Sequence, residues 1–167
     1  MSRCYLCAKK KDSFIYWETP CRDHKNKHAK QCLWEGIWCY FTGGIFDRFA
    51  YEALAAAITY SDYRNPTSLW WFARLSLDFG TKKHENDAMN CLIVISDISK
   101  PKWLGESERS LTKWKKLVAI VITVIEQNRK KGKKKCVTDD LDKKIYHAVK
   151  RKYGKSWSPI GGVFREK

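Results

Sequence analysis

The stretch FDRFAYEALAAAITYSDY, residues 46–63, constrains the fold most strongly. Phe46, Phe49, Ala50, Ala53, Leu54, Ala57 and Ile58 recur there at the three- and four-residue spacing of one helix face. Gly43-Gly44 breaks the chain before this helix. Asn65-Pro66 ends it, because the residue preceding a proline is pushed out of the helical region. A second helix is predicted over 110–128 through Leu111, Trp114, Leu117, Val118, Val121, Val124 and Ile125, although β-branched density from Ile120 to Ile125 also suits a strand. A third starts near Thr138, a hydroxyl cap followed by Asp139 and Asp140 at the positive dipole end. Leu141, Ile145, Val149 and Tyr153 line its apolar side, and Gly154 is placed to stop it.

Strands are expected elsewhere in the chain. Residues 13–19 alternate, 33–41 are dense in aromatics, and 90–98 carry an unbroken apolar run from Cys91 to Ile95. Residues 25–34 read as a short helix, 68–79 as a strand or a short buried helix, 81–88 as a polar loop, and SWSPIGGVF as an extended ending. The expected fold class is therefore α+β, with a small N-terminal zinc-knuckle-like module followed by a mixed helix/strand domain. Its parts are a Cys/His-rich segment at 1–42, a near-neutral core segment at 43–99 and a basic two-helix segment at 100–167.

The module rests on ligand spacing. Cys4-x2-Cys7 is followed, after thirteen intervening residues, by Cys21-x2-His24. Each pair lets two donors converge on one ion, and two pairs complete the tetrahedron that zinc prefers. His28 and Cys32 are alternative ligands, since Cys21, His24, His28 and Cys32 share one side of a helix. Unbound, partly buried thiols beside surface histidines are the competing reading. Seven cysteines cannot all pair within one chain. No apolar run approaches the roughly 18–20 residues of a membrane span, and the N-terminus lacks the apolar stretch of a secretory signal. The expected setting is therefore intracellular and reducing, with zinc as the cofactor.

Charge points to the partner. The formal net charge is +15, of which residues 1–40 hold +4, residues 41–99 hold −2 and residues 100–167 hold +13. Such segregation suits a polyanion, most often nucleic acid, whether RNA or DNA. Arg129, Lys130, Lys131, Lys133, Lys134 and Lys135, with Lys150, Arg151, Lys152 and Lys155, are the candidate phosphate contacts. Trp17, Trp34 and Trp38 are candidates for stacking on unpaired bases. A solvated lysine-rich surface is the plainer alternative. No acid–base pair, nucleophile or phosphate-binding glycine loop is singled out, so a non-enzymatic protein is expected.

LIVISDIS at 92–99 and DLDKKIYHAVKRKYGKSWSPIGG at 140–162 suggest a second reading. Over residues 90–164 the chain resembles a dynein light chain, through Asp142, Ile145, Lys152, Tyr153, Trp157, Ile160 and Gly162. The resemblance implies a protein partner: an adaptor taking a peptide by strand addition along 156–164.

The paired spacings predict one zinc ion per chain. Metal analysis of the purified protein is expected to find it, and Cys21→Ser to abolish it. Retention of the metal by Cys21→Ser would move the site to His28 and Cys32.

Overall fold

The computed structural model describes residues 22–42, 46–105 and 110–130. A single 3-10 turn, Arg22–His24, leads into α1 (Lys25–Thr42). Four more helices follow: α2 (Asp47–Tyr60), α3 (Pro66–Phe79), α4 (Lys82–Asp97) and α5 (Ser110–Lys130). No strand occurs among the described residues, so the expected mixed α+β class is corrected: the described fold is all-helical.

Local chemistry explains the boundaries. Asn65 is extended, at φ −94° and ψ 109°, and its side chain accepts a hydrogen bond from the Ser68 N–H at 2.7 Å. Pro66 then occupies the first turn, where its missing N–H costs nothing. Gly80 ends α3 in the left-handed conformation, at φ 69°. One residue later the Thr81 hydroxyl caps α4 by accepting from the His84 N–H at 3.1 Å.

Packing follows chain order: α1 lies on α2, α3 touches both α2 and α4, and α5 closes on α4. Every residue of α3 from Pro66 to Leu77 is buried. Such a helix belongs in the middle of a domain. Aromatic rings seat it there. Tyr40 of α1 lies 5.3 Å from Trp71, and Trp114 of α5 lies 5.5 Å from Trp70, centroid to centroid.

Three sequence expectations change accordingly. Residues 33–41 form the second half of α1: Leu33, Ile37 and Tyr40 turn inward while Trp34, Trp38 and Phe41 stay out. The 90–98 segment belongs to α4, with Ala88, Leu92 and Ile95 buried at helical spacing and Ile93 exposed. The polar stretch before it supplies the first turns of α4. Residues 68–79 resolve as helix, while the expectations at 46–63 and 110–128 match α2 and α5. The expected N-terminal strand, the helix at 138–154 and the extended ending lie outside the described residues.

At Gly36 the backbone of α1 comes close to α2. A Cβ there would stand 2.7 Å from Leu54 Cγ and 3.3 Å from the Leu54 nitrogen. Glycine to alanine inside a helix ordinarily gains up to about 1 kcal/mol. Overpacking costs about 1–3 kcal/mol. Gly36→Ala is therefore expected to destabilise the protein by about 1–2 kcal/mol in urea titration. A stabilised variant would contradict the close approach.

Candidate functional site

The proposed metal ligands divide. Cys4, Cys7 and Cys21 lie outside the described residues. His24 ends the 3-10 turn and is half-buried. The alternates His28 and Cys32 point into the core, one turn apart on α1, with Cys32 Sγ 3.6 Å from His28 Nε2. The His28 ring meets Tyr60 edge-on at 4.8 Å. Burial, assisted by the Glu35 charge, pushes the Cys32 thiol up to about 12, so it is neutral at physiological pH. Among the described residues no group of three or more His, Cys, Asp or Glu side chains converges.

Of the ten predicted phosphate contacts, only Arg129 and Lys130 fall among the described residues, at the exposed end of α5. Arg129 Nε donates to Glu85 Oε1 at 2.5 Å and its Nη2 to Asn86 at 3.3 Å. Its charge is therefore already engaged, joining α5 to α4. Lys131, Lys133, Lys134, Lys135, Lys150, Arg151, Lys152 and Lys155 lie outside the described residues.

The outer face of α1 does bring predicted residues together. Trp34 is 40% exposed, Trp38 61% and Phe41 44%. Lys27 and Lys30 are exposed on the same face one to two turns earlier. At 100° per residue these five positions fall within an arc of about 80°. Phe41 is anchored against Trp71, with centroids at 5.3 Å, and Trp38 meets Phe46 edge-on at 5.7 Å. The rings are thus oriented from behind while their outer sides face water. Lys30 runs over Gly105, its Nζ 3.2 Å from where a Cβ on that glycine would sit.

A second feature lies at the α2–α3 corner. The Asp62 carboxylate accepts from Lys25 Nζ at 2.5 Å and Lys102 Nζ at 3.0 Å, with Arg64 Nη2 at 3.9 Å. The hydrogen bonds from Lys25 and Lys102 lower its pKa to about 2. The Lys102 N–H also donates to the Arg64 carbonyl at 2.9 Å, so the segment after α4 is laced to this corner. Beside it opens a cleft of about 390 Å³ lined by Tyr63, Arg64, Val94, Asp97, Ile98, Ser99 and Lys100.

Sequence reasoning named Trp34 and Trp38 but missed Lys27, Lys30, Tyr63, Arg64 and Lys100. The Asn65-Pro66 helix stop marks the corner in the sequence, but nothing local marks Asp62, Tyr63 or Arg64. Comparison with known proteins finds no family model, curated protein or solved structure that matches the chain. No helix among the described residues is long and apolar enough to cross a membrane. Cations beside outward aromatic rings suit the binding of an anionic, ring-bearing ligand.

Cys91 is pushed up to about 12 as well, by burial and then by Asp87. Both Cys32 and Cys91 hold their protons more tightly when folded than at their ordinary value of 9.0. Their contribution to stability is therefore present below about pH 9 and lost as pH rises toward 12. Denaturation at pH 8 and pH 10 is expected to show that loss. In Cys32→Ala/Cys91→Ala the loss should be smaller, and an unchanged pH dependence would contradict the assignment.

Proposed function

We propose that the protein binds single-stranded nucleic acid without catalysing a reaction. Surface lysines and arginines hold phosphates, and Trp34 and Trp38 stack on unpaired bases. The observation that carries this reading is the outer stripe of α1, where two exposed indoles continue a line begun by Lys27 and Lys30. Every base has a π-face, so such a platform tolerates sequence, and each stacked base contributes about 1–3 kcal/mol. The +13 of residues 100–167 supplies the electrostatic attraction that a polyanion needs. Zinc on Cys4, Cys7, Cys21 and His24 remains part of the proposal, supported by ligand spacing alone, as does an intracellular setting.

Binding of a labelled oligouridylate at several salt concentrations tests the reading. Trp34→Ala/Trp38→Ala is expected to weaken binding by at least about tenfold, from the stacking range above, while leaving the salt slope intact. Replacing Lys130, Lys131, Lys133, Lys134 and Lys135 by Gln is expected to lower the slope of log affinity against log salt by about three, if four of them touch phosphates. Salt-insensitive binding, or none, would refute the proposal.

A further inference from the structure

We infer that the cleft at the α2–α3 corner seats one nucleotide unit of the bound strand. Arg64 and Lys100 hold its phosphate, and the Tyr63 ring lies against its base. This inference deepens the nucleic-acid reading and rests on it.

Backbone geometry gives the first argument. Asp62 and Tyr63 both adopt the left-handed conformation, at φ 58° and φ 57°. Side chains other than glycine pay a steric cost there, most of all a bulky ring. Tyr63 is nevertheless 57% exposed, and its ring makes no aromatic contact or hydrogen bond within the described fold. The turn that ends α2, with Asp62 N–H on the Thr59 carbonyl and Tyr63 N–H on the Ile58 carbonyl, thus presents an exposed aromatic ring at the cleft.

The charges give the second. Asp62 is already satisfied by Lys25 and Lys102. Arg64 is left with a 3.4 Å hydrogen bond to the Lys100 carbonyl and a 3.9 Å approach to Asp62, both long for a guanidinium. The Lys100 ammonium is exposed and has no ion pair among the described residues. Two cations thus face the cleft with donors to spare. Asp97 stands at the same rim and disfavours a bare, doubly charged phosphate. The same carboxylate can accept from a ribose hydroxyl or a base amino group. Val94 and Ile98 form an apolar floor, and about 390 Å³ accommodates one nucleotide.

Position gives the third. Lys25 of α1 pairs with Asp62, and Lys30 lies over Gly105 at the end of the segment that forms the cleft wall. The cleft therefore adjoins the start of the α1 stripe. From Lys25 to Trp38 the helix rises about 20 Å, a span that a short strand covers in a few nucleotides.

The test titrates the full chain and its Tyr63→Gly, Arg64→Gln/Lys100→Gln and Trp38→Ala variants with a labelled 12-mer oligouridylate, alongside thermal melts. Tyr63→Gly is expected to melt at or above the wild-type temperature yet bind about tenfold more weakly. Arg64→Gln/Lys100→Gln is expected to lower the salt slope by about one. Loss of binding in Trp38→Ala with none in the two cleft variants would overturn the cleft while leaving the α1 platform. Absence of any 12-mer binding by wild type would overturn the reading beneath it. Uridine monophosphate binding as tightly as the 12-mer would make the occupant a free nucleotide, and would overturn the strand assignment.

Discussion

A helix buried on every side must be surrounded before it is stable, and α3 imposes that requirement on the whole fold. From Pro66 to Leu77 no residue of α3 reaches the surface, and Arg74 answers its own burial by pairing with Asp78 at 2.8 Å. An unpaired buried guanidinium would cost several kcal/mol, so that i, i+4 pair is what lets a charged residue sit in the central helix. Around it, α2 and α4 pack directly, Tyr40 reaches Trp71 from α1, and Trp114 reaches Trp70 from α5. Each outer helix gives one face to this task.

The surface chemistry follows from that division. The inner face of α1 is taken up by Ala29, Cys32, Leu33, Gly36, Ile37 and Tyr40, and the close approach at Gly36 leaves no space for a larger side chain toward α2. Trp34, Trp38 and Phe41 occupy the opposite face. Burial of an indole ordinarily yields a few kcal/mol, so an outward pair forgoes stability that a partner can later supply. The corner at Asp62 shows the same logic in backbone form. The Asp62 N–H bonds the Thr59 carbonyl at 3.2 Å and the Tyr63 N–H the Ile58 carbonyl at 3.0 Å, a helix-ending turn in which both residues are left-handed and the Tyr63 ring stays exposed. The two features are tied to each other through α1: Lys25 pairs with Asp62 at the corner, and Lys30 approaches Gly105 in the segment after α4.

Periodicity made α2 and α5 legible, because their buried residues keep the helical spacing without interruption. It failed at 33–41 and 90–98 for opposite reasons. In α1 the exposed aromatics filled the gaps in the apolar stripe, so the segment looked like a strand with two apolar faces. In α4 the half-buried Cys91 and Val94 and the exposed Ile93 did the same beside Leu92 and Ile95. The expectation of a polar loop at 81–88 leaves out the Thr81 cap that starts α4. The α1 half of the candidate surface was readable through Trp34 and Trp38. The corner was not, since contacts across more than thirty residues, such as Lys25 to Asp62, leave no trace in local pattern.

Ultraviolet cross-linking of the full chain to an oligouridylate, followed by peptide mass spectrometry, tests most directly whether the outer face of α1 is the nucleic-acid surface. The account predicts cross-links at Trp34 and Trp38, suppressed by excess unlabelled strand. Cross-links confined to residues 131–167, or none at all, would contradict it.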